Sequence, residues 1–260
     1  MAQTTARFTH MKRSEPSKAL TVQHGGEALS SRLDKVEWPT LAAALDATGF
    51  GVLPGLLSLA ECERLRGAYS EDGLFRSRVV MARHGFGRGE YKYFAYPLPP
   101  LVADLRQRLY PRFVPIANRW NETMKIEVRY PDEHTAFLER CHEAGQLRPT
   151  PLLLQYVEGD YNCLHQDLYG EHVFPIQVAI LLSEPGEEFD GGEFVTMEGD
   201  AAEQRAEVVP LRKGDAVAFA VNERPVRGKR GFRRAAMRHG VSAIRRGHRH
   251  TVGIIFHDAT

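Results

Sequence analysis

From residue 151 onward, apolar positions fall in short runs bounded by turn signals. The stretches LLLQYV, FPIQVAILLSE, EFVTMEG, AEVVPL, DAVAFAV, AMRHGVSAI and RHTVGIIFH read as β-strands. Glu158-Gly159-Asp160, Asp190-Gly191-Gly192 and Lys213-Gly214-Asp215 punctuate them as turns. Seven short strands without intervening helices imply a sandwich or a barrel. Residues 35–150 carry helical periods instead. One helix starts at Pro39-Thr40 and stops at Gly49, with Leu41 and Leu45 sharing a face. Ser58 and Glu61 form a capping box ahead of Leu59, Cys62 and Leu65. A long helix begins at Pro100, with a kink expected near Pro111, and another places Phe137, Leu138 and Cys141 on one face before Gly145. Residues 1–34 are polar and aperiodic, as in a mobile arm. The expected layout is a flexible arm (1–34), a mainly helical supporting region (35–150) and a β core (151–260).

Bulk properties narrow the picture only a little. Formal net charge is +1 over 260 residues, so no partner is favoured by global electrostatics. Three widely spaced cysteines give neither a disulfide framework nor a zinc knuckle. No apolar run is long enough to span a bilayer, and the first residues lack a signal-peptide core. A soluble cytoplasmic protein with no membrane partner is expected. Oligomeric state is not legible.

Candidate chemistry centres on NCLHQDLYG. In an extended segment residues i and i+2 point the same way, so His165 and Asp167 can reach one ion. Alone the pair is equally well a polar strand edge. A catalytic Fe(II) site uses two histidines and one carboxylate and leaves positions open, so a third ligand must come from elsewhere. His239, 74 residues after His165 and between two expected strands, is the best candidate. Arg249 opens an apolar strand ten residues later; a buried guanidinium there needs an anion, and its planar fork suits a carboxylate. A solvated strand-end arginine is the plainer alternative.

Together, QYVEGDYNCLHQD, FDGGEFV, LRKGDAVAF and RHGVSAIRRGHRHTVGIIF resemble the Fe(II)/2-oxoglutarate-dependent dioxygenases. The resemblance covers about residues 151–257. It implies an α+β chain whose core is a double-stranded β-helix (jelly-roll or cupin-like) barrel with N-terminal supporting helices. It further implies that His165, Asp167 and His239 hold Fe(II) and that Arg249 pairs with the distal carboxylate of 2-oxoglutarate. Tyr156 would contact that co-substrate, although a core tyrosine with a satisfied hydroxyl is a near-equal reading. The resemblance also implies O2 as the other co-substrate, with substrate hydroxylation coupled to release of succinate and CO2. In related halogenases a small residue replaces the carboxylate, so Asp167 favours oxygenation. The first half, through HGFGRGEYKYFAYPLPPLVADLR and LYPRFVPIANRW, also resembles a bacterial subfamily of oxygenases linked to damaged nucleic acid.

Substrate is less determined. Residues 224–257 hold ten Lys/Arg and no Asp or Glu, and RPVRGKRGFRR precedes His239. A loop at Arg224–Arg234 could track phosphates, with Phe232 stacking on a base. Alternatively it neutralises the nine acids between Glu184 and Glu207. RHGFGRGEYKYF, covering the 84–94 loop, reads either as a substrate cover or as core packing of Phe86, Tyr91, Tyr93 and Phe94. His248, His250 and His257 are expected mostly as exposed strand residues. DNA-dealkylating oxygenases follow their arginine with Asn, Thr and a second Arg at alternate positions, whereas Thr251, Gly253 and Ile255 stand here. That tail is closer to prolyl-hydroxylase-like enzymes, which makes a hydroxylase of a protein side chain or small metabolite the main alternative. A non-catalytic metal-binding β-barrel, a nucleic-acid-binding module on that scaffold and a zinc hydrolase are the others.

Overall fold

The computed structural model describes residues 27–199, 203–229 and 231–260. Its helices are α1 (Leu29–Asp34), α2 (Trp38–Thr48), α3 (Leu59–Ala68), α4 (Pro100–Thr123) and α5 (His134–Glu143). The expected arm is part structured: Leu29 and Leu33 are buried on α1, while residues 1–26 lie outside the described residues. The Ser58–Glu61 capping box forms and starts α3, and Gly49, at φ 81°, ends α2 in the left-handed conformation. Helix α4 runs unbroken through Pro111 and Pro115. Both prolines lie on its exposed side, so the carbonyls they leave unpaired face water rather than the core.

All seven expected strands form. The region expected to be mainly helical adds four more: β1 (Phe50–Leu53), β2 (Phe75–Val80), β3 (Gly87–Arg88) and β4 (Glu90–Phe94). These short segments carry little periodicity of their own and are held by partners far along the chain. The later strands are β5 (Leu152–Tyr156), β6 (Tyr161–His165), β7 (Ile176–Leu181), β8 (Phe189–Gly191), β9 (Phe194–Glu198) and β10 (Arg205–Val209). They continue with β11 (Ala216–Ala220), β12 (Glu223–Gly228), β13 (Gly231–Val241), β14 (Ile244–Gly247) and β15 (Arg249–Ile254).

One antiparallel sheet has the order β1-β11-β7-β15-β5-β4-β2, and a second runs β10-β9-β13-β6-β3 with β12 added to β13. Strand alternation divides their side chains. Ala216, Ala218 and Ala220 of β11 and Val252 and Ile254 of β15 join the large core shared with Leu45, Leu109, Phe113 and Trp120 of the helices. Residues of opposite parity, such as Val217 and Phe219, face the barrel interior, as do Tyr156 and Leu181. The helices therefore back the larger sheet, leaving the interior between the sheets for chemistry.

Candidate active site

His165 ends β6 and stands directly opposite His239 on β13. Close approach of the two strands depends on Gly240, where an added Cβ would come within 2.7 Å of the Asn162 carbonyl. The imidazoles lie 4.2 Å apart, centroid to centroid. Asp167 follows in the turn: Oδ1 is 3.4 Å from His165 Nε2, and Oδ2 is 3.4 Å from His239 Nε2. Ligand atoms of all three residues lie within 4.8 Å of one another. His165 Nδ1 sits 2.8 Å from the Cys163 carbonyl, so it carries the proton and Nε2 presents a lone pair to the centre.

Electrostatics follow from this crowding. Burial alone would raise the Asp167 carboxyl, but the two imidazoles overcome it and hold the group well below the usual carboxylate range. Burial also opposes charge on His165, yet Asp167 prevails and raises it. His239, more deeply buried between the rings of Phe194 and Phe219, is lowered by desolvation. Two neutral-capable imidazoles and an ionised carboxylate are the donor set for a divalent transition metal.

A cavity of about 180 Å³ joins this cluster to Arg249 and Tyr156. Those two residues pair across β15 and β5, with the guanidinium carbon 5.6 Å from the Tyr156 ring centroid. Arg249 is 2% exposed and has no carboxylate partner among the described residues. Its Nη1 donates to Thr251 Oγ1 at 2.7 Å, and its Nε has no partner. Burial lowers it to about 10, so it stays cationic at neutral pH. The Tyr156 hydroxyl is also buried, with no hydrogen-bond partner among the described residues. Uncompensated donors at this depth are costly unless a ligand satisfies them.

A family model described as "Oxygenase, catalysing oxidative methylation of damaged DNA" matches residues 89–259. The chain belongs to this oxygenase family. Two proteins of Mycobacterium tuberculosis, both described as uncharacterized, are 41% identical to the oxygenase over 201 residues, 77% of this chain and 84% of theirs. An oxidoreductase of the 2OG-Fe(II) oxygenase family from Burkholderia pseudomallei superposes with a TM-score of 0.53 at 16% identity, over 87% of this chain and 94% of that one. A prolyl hydroxylase from Trichoplax adhaerens, in complex with a hypoxia inducible factor peptide, gives 0.54 at 12% identity, over 89% and 93%. At such identities the likeness is one of fold, the double-stranded β-helix.

Other expectations for this oxygenase fare unevenly. Within the Arg224–Arg234 segment, residues 224–228 of β12 pair with 231–234 of β13 and β12 leans on the helices, where a loose loop over the site was expected. Arg224 is buried, paired with Glu198 and donating to the carbonyls of Asp46 and Ala47, so it is closed to phosphate. Arg245 and Arg246 pair with Glu193 and Asp190, as the neutralisation reading anticipates. Arg227, Lys229, Arg233 and Phe232 remain exposed on the hairpin. In the 84–94 loop Tyr91 and Phe94 are buried, whereas Phe86 is 46% exposed and lines the cavity. His257, expected on the surface, is fully buried behind the site. Among the described residues no helix is long and apolar enough to cross a membrane.

Tyr169 and the role of Thr251, named in the sequence only as a departure from the DNA-dealkylating pattern, escape the sequence reading, although each residue stands two after a singled-out one, the same signal that pairs His165 with Asp167. Gln177, a lone amide in the apolar run IQVAIL, faces the cavity with an unpartnered, buried Nε2.

Proposed function

We propose that this oxygenase is an Fe(II)/2-oxoglutarate-dependent dioxygenase acting on a modified base in nucleic acid. One observation carries the cofactor reading: a two-histidine, one-carboxylate cluster shares a cavity with a buried arginine that has no carboxylate partner among the described residues. His165, Asp167 and His239 would hold the metal, and Arg249 the distal carboxylate of 2-oxoglutarate. Bound together, iron and 2-oxoglutarate would supply the oxidising power for inserting oxygen from O2 into a substrate C–H bond.

The protein's part is orientation and exclusion of water. The Nδ1–H of His165 is fixed on the Cys163 carbonyl, which keeps Nε2 available. Thr251 holds Nη1 of Arg249, whose side chain lines the cavity, and Tyr156 adds a ring and hydroxyl beside the guanidinium. Phe194 and Phe219 pack against His239 and keep water from its inner side.

The family description supports nucleic acid as substrate, and so does the arrangement of exposed groups. Phe86 offers a flat face at the cavity mouth, stacked on His84 and flanked by exposed Arg83 and Arg88. An extruded base with its flanking phosphates fits that combination. Succinate formation with Fe(II), O2 and 2-oxoglutarate tests the reading, using wild type and Asp167→Ala with methylated single-stranded DNA or a proline-containing peptide. Turnover by wild type alone, stimulated by the DNA, is expected. Stimulation by the peptide instead would move the substrate to proteins, and absence of turnover by loaded wild type would refute the enzyme.

A further inference from the structure

Beyond the three candidate ligands, a chain of hydrogen bonds runs from Asp167 outward. Tyr169 Oη donates to Asp167 Oδ1 at 2.7 Å, so one carboxylate oxygen is already engaged by protein. The turn carrying Tyr169 rests on Gln146, which is fully buried just after α5. Gln146 Nε2 shares its two N–H groups among the carbonyls of Tyr169 (3.3 Å), His172 (3.1 Å) and Asp258 (2.5 Å), and its Oε1 accepts from the His172 N–H at 2.7 Å. The fit leaves no slack. At Gly170, with φ 99°, a Cβ would fall 2.5 Å from Gln146 Cδ. The far end of the chain is anchored as well, because the buried Asp258 carboxylate receives Arg106, His142 and Tyr96.

We propose that Tyr169 and Gln146 are positioning residues for Asp167, holding it as a single-oxygen ligand at the metal centre. This rests on the metal-centre reading above. The Tyr169 hydroxyl occupies Oδ1 and fixes the rotation of the carboxylate, turning Oδ2 toward His239. Gln146 fixes the backbone on which Tyr169 stands. A carboxylate free to rotate would chelate through both oxygens and take up a position that co-substrate and oxygen require.

The test is titration of the metal-free 260-residue chain with cobalt(II), followed by its visible d–d absorption, alongside thermal melting of the metal-free forms. Tyr169→Phe removes only a hydroxyl. It is expected to melt near wild type, weaken cobalt binding about 10-fold or more and alter the band intensities as carboxylate coordination changes. Gln146→Leu is expected to weaken binding similarly. The double variant should bind no more weakly than the weaker single variant, since both act through one carboxylate. Additive losses would assign Gln146 a general structural role and overturn its part in the relay. Cobalt affinity and spectrum of Tyr169→Phe equal to wild type, with Asp167→Ala clearly weaker, would overturn the inference alone. Wild type binding no better than Asp167→Ala would overturn the metal-centre reading and this inference together.

Discussion

His165 and His239 face each other across neighbouring antiparallel strands, with their rings 4.2 Å apart and one carboxylate, Asp167, reaching both. Replacing any of the three by alanine is expected to lower metal affinity at least 100-fold and abolish succinate formation. Fold should survive, because the large core lies on the other side of the main sheet. Metal titration and circular dichroism on the same samples check both halves of this expectation.

Arg249 should govern the co-substrate alone. Arg249→Met is expected to raise the KM for 2-oxoglutarate about 100-fold while leaving metal affinity intact, as for loss of a buried charge-assisted pair. Lysine should rescue poorly, lacking the fork. Gly192 offers an independent lever: it holds φ 63°, and an added Cβ would lie 2.3 Å from Ile244 Cδ1 and 2.9 Å from Arg249 Cδ. Gly192→Ala is therefore expected to displace the guanidinium and raise the same KM. Steady-state kinetics with varied 2-oxoglutarate would show it.

The hairpin separates two kinds of arginine. Arg227→Ala, Lys229→Ala and Arg233→Ala are each expected to reduce the salt dependence of DNA binding by about one in log–log slope, with turnover in the absence of DNA unchanged. A slope unaltered in the triple variant would place the phosphate contacts elsewhere.

Arg224 behaves differently because it is sealed against Glu198 and two carbonyls of α2. Arg224→Ala leaves those acceptors uncompensated and is expected to cost about 3–5 kcal/mol of stability. Chemical denaturation of the metal-free chain measures this.

Buried and half-buried imidazoles set the response to acid. Unfolded, His134, His250 and His257 would each take a proton near 6.5; in the fold burial delays this to about 4, about 4 and about 3. Between these limits the unfolded chain holds more protons. Stability contributed by these groups is therefore complete above about pH 6.5 and is lost as pH falls toward 3–4. His257→Asn, which keeps an acceptor for the Phe174 N–H, should flatten the dependence of Tm on pH across that window.

Local pattern sufficed for much of this molecule. Short apolar runs bounded by turn signals located seven of the eleven strands after residue 151, Ser58 and Glu61 marked the start of α3, and the i, i+2 geometry placed His165 and Asp167 on one side. These features are encoded within a few residues, where side-chain direction and capping follow from backbone periodicity alone. Partnership over long separations was not readable. FGVL becomes a strand because β11 lies beside it, EYKYF because β5 does, and the basic segment is a braced hairpin because α2 supplies carbonyls for Arg224. His257 looked like surface and is core; Gln146, which the sequence did not single out, meets the segment after Asp167. Sequence thus determined which groups are available and how each strand faces. Tertiary structure alone decided which buried donors pair with protein and which, like Arg249 Nε, have no partner among the described residues.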